Sequence, residues 1–216
     1  MAPHNTSLHS PTGRIRLEPP IPGNDAAIAR LRMHPSTRKY LRSFPEYVST
    51  EDARKLREAR EQDPEVQAFH VYVRADGEVV KEAENEWEFA GSATVYHVNT
   101  QHRSCEIGLI LSPDVRGRGI ATDVLYTLLL YVFVQLRMHR VTFETAADNI
   151  PMRGWLENVA GARMEAMRAE CRVDPGSDRG YSDLAGYAIL EWEWHDQGMS
   201  GVKERLEKRL GLSSME

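Results

Sequence analysis

The spacing of hydrophobic residues changes several times along the chain, and each change predicts a different element. Residues 14–18 alternate polar and apolar side chains, which predicts a first strand that the following prolines end. Asn24 precedes one helical pattern, and Ser49 begins a second that runs toward Pro64. The N-terminal part of the chain therefore predicts one strand followed by two helices.

From Ala68 onward the pattern has a period of two, which is typical of strands. Three strands are predicted in succession, at Phe69–Val73, Trp87–Val98 and Ser104–Leu111. Between the first two, the segment Asp76–Glu88 holds six acidic residues and one lysine. We interpret this segment as a solvated hairpin loop, with a lip that attracts cations as the alternative.

The C-terminal half mixes helices and strands. A long apolar helix is predicted from Ile120 to about Arg137 and a short one from Asn149 to Val159. The remaining predicted elements are strands at Arg140–Thr145, Met164–Val173 and Tyr187–Trp194, and an amphipathic helix at Val202–Leu210. Because no repeat or second composition regime appears, we predict one α/β domain over residues 13–195. Residues 1–12 are expected to form a flexible tail, and residues 196–216 a C-terminal tail carrying the last helix.

Composition narrows the class of protein. The net charge of −5 offers no general attraction to a phosphate backbone, so nucleic-acid binding is not expected. Two cysteines, Cys105 and Cys171, are too few for a disulfide scaffold and indicate a reducing compartment, the cytoplasm. The most apolar run, Val124–Val134, is far shorter than the roughly 20 residues that a membrane span needs. This short run gives no reason to expect association with a membrane. The eight histidines are scattered without metal-ligand spacing, so no metal site is expected.

The segment from Leu109 to Thr122 carries the clearest chemical signal. A buried strand leads into a loop containing Gly117 and Gly119, and the loop leads into the long helix. Glycines let the backbone turn tightly and approach a ligand, and free N–H groups at a helix N-terminus bind anions. Arg116 and Arg118 add positive charge suited to phosphate oxygens. The sequence therefore predicts a phosphate-binding loop.

Two common phosphate ligands do not fit this loop. No Gly-Lys-Ser/Thr follows, so the lysine and the magnesium-binding hydroxyl of a nucleoside-triphosphate loop are missing. Gly117-x-Gly119-x-x-Thr122 half resembles a dinucleotide fingerprint, but a Rossmann domain needs successive parallel βαβ units that the predicted order of strands lacks.

Arg116-Gly-Arg-Gly-Ile-Ala121 resembles the R/Q-x-x-G-x-G/A loop of the GCN5-related N-acetyltransferases (GNAT). The likeness continues over about residues 104–194 and resembles the subgroup with the ribosomal-protein N-terminal acetyltransferases. The residues that carry it around the loop are Glu106-Ile-Gly108, Leu111-Ser-Pro113, Met138-His-Arg140, Asn149, Gly161 and Ala188-Ile-Leu-Glu-Trp192.

The resemblance implies a mixed, mostly antiparallel sheet of about six to seven strands, flanked by helices. It implies that the strand at Leu109–Leu111 splays from the strand after Arg140, and that acetyl-CoA is the cofactor. The pyrophosphate would lie on the loop, and the pantetheine arm would pair with the splayed strand. The expected cofactor contacts are Leu109, Ile110, Leu111, Arg116, Gly117, Arg118, Gly119, Ile120, Ala121, Thr122, Asn149 and Arg153.

Glu106 is the candidate catalytic base, because it is a carboxylate on an apolar strand just before the cofactor-binding segment. Strand alternation places it on one face with Gly108 and Ile110. The alternative is an ion pair that stabilises the sheet. The family often has a tyrosine after Asn149 that protonates the leaving thiolate, whereas this chain has Trp155-Leu156-Glu157 there. Tyr187 and Tyr126 are possible substitutes.

These observations predict an N-acetyltransferase that moves an acetyl group to a primary amine by direct attack in a ternary complex. The acceptor is either a small-molecule amine or a protein N-terminus. The alternative is a non-catalytic acyl-CoA-binding module of the same fold. The sequence leaves open a monomer or a homodimer.

Overall fold

A single mixed sheet of eight strands organises the chain, in the spatial order β1-β2-β3-β4-β5-β6-β8-β7. The computed structural model describes residues 4–75, 86–196 and 201–212. The strands are β1 Leu8–His9, β2 Ile15–Glu18, β3 Gln67–Arg74, β4 Trp87–Asn99, β5 Ser104–Leu111, β6 Arg140–Ala146, β7 Arg163–Val173 and β8 Tyr181–Leu190. The predicted α/β class is confirmed.

Helices flank the sheet. They are α1 Asp25–Met33, α2 Pro35–Arg38, α3 Thr50–Gln62, α4 Ile120–Leu130, α5 Ile150–Gly154, α6 Glu191–His195 and α7 Val202–Leu210. Ser49 is the N-cap of helix α3, where the side chains of Ser49 and Asp52 each accept a hydrogen bond from the other residue's backbone N–H. Helices α4 and α5 each continue as a π-helical turn, at Tyr131–Gln135 and Trp155–Ala160.

The centre of the sheet opens between β5 and β6, which run parallel whereas the other pairs are antiparallel. Pairing covers only Ser104–Glu106 against Arg140–Thr142. Beyond Glu106, β5 continues to Leu111 along β4, and β6 continues to Ala146 along β8. The two strands therefore diverge after Glu106, as the resemblance implied.

One hydrophobic core lies between the sheet and the α4 side of the molecule. Val124, Leu128 and Val132 are fully buried on α4 and its continuation. Helix α7 packs on the outer side of α4, with Leu206 buried. This double burial explains why α4 is apolar on most of its surface rather than along one stripe.

The expectation of an unstructured N-terminal tail is wrong for residues 4–12. Leu8–His9 pairs with β2, and Leu8 joins the core with 6% of its surface exposed. Ser10 is also buried, because its hydroxyl donates a hydrogen bond to the Asp123 carboxylate on α4. A strand of two residues has too little pattern to be seen in the sequence, and long-range contacts order it. Residues 1–3 lie outside the described residues.

The last predicted strand is also wrong in its bounds. Strand β8 begins at Tyr181, six residues before the predicted start, because its first residues pair with the end of β7 rather than packing on the core. Chain beyond Leu190 turns into α6, where the Glu193 carboxylate accepts from the Leu190 N–H at 2.8 Å and Trp194 is fully buried. Trp192 and Trp194 alternate with polar residues, which is the spacing of a strand. The hydrogen bond from the Leu190 N–H to Glu193 begins a helix there instead.

Most of the predicted acidic hairpin loop lies outside the described residues, which resume at Glu86. Within the described ranges, no helix is long and apolar enough to cross a membrane.

Candidate active site

The loop between β5 and α4 adopts the backbone that its glycines predict. A 3-10 turn at Pro113–Val115 follows β5, and Gly117 and Gly119 then take φ values of 75° and 78°. Side chains with a Cβ rarely adopt this left-handed conformation, which explains the choice of glycine at both positions. Apart from its chain neighbours, no heavy atom of the described residues lies within 4 Å of a Cβ placed on Gly117, so this part of the loop faces open space among them.

The N-terminus of α4 presents backbone donors to that space. The first intrahelical hydrogen bond runs from the Asp123 N–H to the Gly119 carbonyl at 3.2 Å. The N–H groups of Ile120 and Ala121 therefore have no acceptor within the helix. Together with the positive end of the helix dipole, these groups fit the pyrophosphate of coenzyme A.

The two loop arginines have different surroundings. The Arg116 guanidinium donates to the Leu111 carbonyl at 3.1 Å, which ties the loop to the end of β5. Arg118 is exposed, and its carbonyl accepts from Arg14 Nη1 at 3.3 Å. Arg118 and Arg14 therefore lie together beside Gly119, whose Cβ position is 3.6 Å from an Arg14 nitrogen.

Asp123 was missed by the sequence reasoning. Its carboxylate is fully buried and accepts from the hydroxyls of Ser10 and Thr12 and from Arg14 Nε at 3.1 Å. These bonds fix the start of α4, and with it the loop, to the N-terminal segment. An acidic residue in a helix that is apolar at most of its positions is the signal that pointed to such partners.

Thr122, Asn149 and Arg153 hold α4 and α5 near the divergence of β5 and β6. Thr122 Oγ1 accepts from the Trp155 indole at 3.0 Å. Asn149 caps α5 by accepting from the Met152 N–H at 3.3 Å and donates to the Thr145 hydroxyl at 2.8 Å. The Arg153 guanidinium donates to the Ala147 carbonyl at 2.7 Å.

Glu106 occupies the last paired position before β5 and β6 diverge, opposite Thr142 on β6 and Tyr96 on β4. Its carboxylate, half-buried, makes no hydrogen bond or ion pair with the part of the chain that the structure describes. The alternative role as a sheet-stabilising ion pair thus finds no partner within those ranges. Burial raises the pKa of Glu106, and the nearby negative charge of Glu144 raises it further.

Charged and aromatic side chains surround Glu106. Glu144 on β6 accepts from Arg168 at 2.7 Å and from Arg172 at 2.8 Å, both on β7. On the other side, the Tyr96 ring lies over Gly108, where a Cβ would be only 2.9 Å from Tyr96 Cε2. The Tyr96 hydroxyl accepts from Arg60 at 2.7 Å.

The two candidate tyrosines differ in position. The Tyr126 hydroxyl donates to Glu207 on α7 at 2.7 Å, and burial raises its pKa. The Tyr187 hydroxyl accepts from Arg153 Nε at 3.0 Å and donates to Glu157. Tyr187 is therefore the tyrosine that reaches α5 and the expected cofactor contact Arg153.

Cys105 alternates with Glu106 along β5 and points into the core. Burial raises the pKa of its thiol to about 12, so the thiol stays protonated and unreactive at neutral pH. Over residues 4–75, 86–196 and 201–212, no group of three histidine, cysteine, aspartate or glutamate residues has a metal-binding arrangement.

A glycine-containing loop at a helix N-terminus, beside two diverging strands of an α/β fold, is the arrangement that the resemblance implied. The chain belongs to the GNAT acetyltransferase family, because residues 14–161, more than half of the chain, match the acetyltransferase (GNAT) domain model. The resemblance drawn from the sequence is confirmed.

Relatives and solved structures agree with this assignment. The uncharacterized N-acetyltransferase YnaD of Bacillus subtilis is 25% identical over 155 residues, which are 72% of this chain and 82% of that protein. The spermidine N(1)-acetyltransferase of Vibrio cholerae is 28% identical over 81 residues, 37% of this chain and 46% of that one. The crystal structure of a spermidine N-acetyltransferase from Vibrio cholerae with CoA and spermine has a TM-score of 0.71 at 21% identity. Its match covers 85% of this chain and 99% of that one, and it shows the shared fold.

The protein is therefore an enzyme, an N-acetyltransferase of the GNAT class, and acetyl-CoA is its cofactor.

Proposed function

We propose that this enzyme transfers the acetyl group directly from acetyl-CoA to a primary amine within a ternary complex, with Glu106 as the general base. The observation that carries the proposal is the position of Glu106. It is a half-buried carboxylate at the point where β5 and β6 part, without a hydrogen-bonded or ion-paired partner among the described residues.

When bound, acetyl-CoA supplies an acetyl thioester as the electrophile. Glu106 accepts a proton from the acceptor ammonium, directly or through water, which leaves a nucleophilic amine. As the new C–N bond forms and the C–S bond breaks, a β5 backbone N–H stabilises the negative charge on the acetyl oxygen. The raised pKa of Glu106 strengthens it as a base.

Tyr187 supplies the proton to the leaving thiolate in this proposal. Its hydroxyl contacts Arg153 and Glu157, and Glu157 lies in the segment where the family often carries its tyrosine. A neutral tyrosine is required for this role, and burial raises the pKa of Tyr187, which keeps it protonated.

The acceptor is a small-molecule amine or a protein N-terminus. The likeness to a spermidine acetyltransferase supports the first. Charged groups of both signs lie near Glu106, namely Glu144 with Arg168 and Arg172, which suits an amine that carries other polar groups. The free thiols Cys105 and Cys171 support action in a reducing compartment such as the cytoplasm.

A non-catalytic acyl-CoA-binding module is the second candidate. The observation that favours it is Trp155-Leu156-Glu157 in place of the family's tyrosine.

One experiment separates the two functions. The full chain is incubated with acetyl-CoA and a panel of polyamines, amino acids and N-terminal peptides, while thiol release and the mass of each amine are measured. We expect stoichiometric thiol and acetylated amine for one class of acceptor. Tyr187→Phe should slow this release, and Tyr131→Phe, which removes a hydroxyl that bonds Gln67 on β3, should not. Binding of acetyl-CoA without release by any amine would support the module.

A further inference from the structure

A cavity of about 630 Å³ opens beside the N-terminus of α4. Its walls come from both ends of the chain: the segment around Arg14, the loop residues Arg118 and Gly119, and the end of α7 from Arg209 to Leu212. The two regions that the sequence suggested as tails therefore meet at the phosphate loop.

Three of the residues that line the cavity are arginines, Arg14, Arg118 and Arg209. Among the described residues, Asp123 pairs with Arg14 Nε at 3.1 Å. Asp123 is fully buried, so its carboxylate does not face the cavity, and Arg209 on the opposite wall is exposed. Such a surface suits a phosphate monoester, which carries up to two negative charges.

Coenzyme A carries one phosphate monoester, the 3′-phosphate of its adenosine. The pyrophosphate joins this adenosine to the pantetheine arm. The backbone donors at the start of α4 would hold the pyrophosphate, and β5 beside the opening toward β6 would hold the pantetheine arm. The adenosine would then extend from the loop on the side that faces away from β5 and β6. None of the residues that line the cavity belongs to β5 or β6, and the cavity adjoins Gly119.

We propose that this cavity binds the 3′-phosphate of coenzyme A, and that Arg209 on α7 determines the preference for coenzyme A over its 3′-dephospho form. Arg209 lies outside residues 14–161, the part that matches the family model, so the contact belongs to this chain's own C-terminal helix. Tyr126 and Glu207 hold α7 against α4 and so keep Arg209 at the cavity.

Titration calorimetry tests the proposal with two ligands, coenzyme A and 3′-dephospho-coenzyme A. Wild-type protein should bind coenzyme A about 10-fold or more tightly than the dephospho form, as expected for a charge-assisted contact. Arg209→Ala should weaken coenzyme A binding by about that factor and leave dephospho-coenzyme A binding unchanged. Lys208→Ala is the matched control, since it removes the same charge from the neighbouring position, which does not line the cavity.

Equal wild-type affinity for the two ligands would overturn the proposal. An equal loss for both ligands in Arg209→Ala, or the same loss in Lys208→Ala, would also overturn it, because either result indicates general electrostatics rather than a specific contact. The measurement needs no acceptor amine, so its outcome is independent of whether Glu106 acts as the base.

Discussion

At the scale of single residues, the environment of Glu106 decides its role more than its residue type does. A carboxylate on a strand often forms an ion pair with a nearby cation. Here the nearby cations Arg168 and Arg172 are bonded to Glu144 instead. Glu144 therefore keeps two arginines away from Glu106 and adds a negative charge that raises the pKa of Glu106.

Replacing Glu144 should change the pH dependence of the reaction. Loss of the Glu144 charge should lower the pKa of Glu106, because that charge raises it. Arg168 and Arg172, released from Glu144, should lower the pKa further. Since Glu106 must be deprotonated to act as a base, the acidic limb of kcat/KM should move to lower pH in Glu144→Gln. The measurement is a pH–rate profile with one acceptor throughout.

Glu170→Gln is the control for this profile, since Glu170 also pairs with an arginine of the β7–β8 hairpin, Arg179. Its acidic limb should coincide with that of the wild type. A limb that stays in place in Glu144→Gln, or moves to higher pH, would argue against Glu106 as the titrating base.

Gly119→Val tests the phosphate loop. Valine at φ 78° is strained, and its side chain would press on the Arg14 guanidinium beside the loop proposed to bind the pyrophosphate. We expect the affinity for acetyl-CoA to fall at least 10-fold by calorimetry, with about 1–2 kcal/mol lost from the free energy of unfolding.

Gly180→Val provides the matched control, because Gly180 has a φ of 74° and open space around it in the turn between β7 and β8. It should show a similar loss of stability with unchanged cofactor affinity. If both variants bind acetyl-CoA like the wild type, the loop does not hold the cofactor.

At the scale of elements, the contact between α4 and the N-terminal segment links the loop to the rest of the fold. Asp123→Asn would weaken the hydrogen bonds from Ser10, Thr12 and Arg14 to a fully buried side chain. Because Arg14 is partly exposed, we expect a moderate cost of about 2 kcal/mol in the free energy of unfolding, measured by chemical denaturation. Asp114→Asn, which loses only an exposed bond with Ser112, should stay within about 0.5 kcal/mol of the wild type.

Elements with a sustained pattern could be predicted, and those fixed by a few distant contacts could not. The strands β3, β4 and β5 and the helix α4 could be predicted because burial produces a regular spacing of apolar residues in the sequence. A strand with one buried face alternates, and a helix buried on most of its surface is a long apolar run. Strand β1 and the start of β8 show no such spacing. A partner strand and the Asp123 carboxylate order β1, and the end of β7 orders the start of β8.

At the scale of the whole molecule, the site depends on residues far apart in the sequence. The loop and Glu106 could be identified because their residue types and spacing match a family pattern. The partners of these residues could not, since the contact of Tyr96 with Gly108, the pairing of Glu144 with β7 and the approach of Arg14 to Gly119 all require the sheet to be assembled. The meeting of the segment around Arg14 with the end of α7 beside the loop is a property of the folded chain alone.

The central claim is that Glu106 removes the proton of the acceptor at the divergence of β5 and β6. Steady-state kinetics of Glu106→Gln, with calorimetry of acetyl-CoA binding and a thermal melt, tests it most directly. Glu165→Gln, which breaks ion pairs with Arg140 and Arg163 on the same sheet, shows the effect of lost sheet stability alone. We expect Glu106→Gln to keep the wild-type Tm and cofactor affinity while kcat falls about 10²–10⁴-fold, with partial recovery at high pH. A lowered Tm with near-normal kcat, or a raised KM with unchanged kcat, would contradict the account.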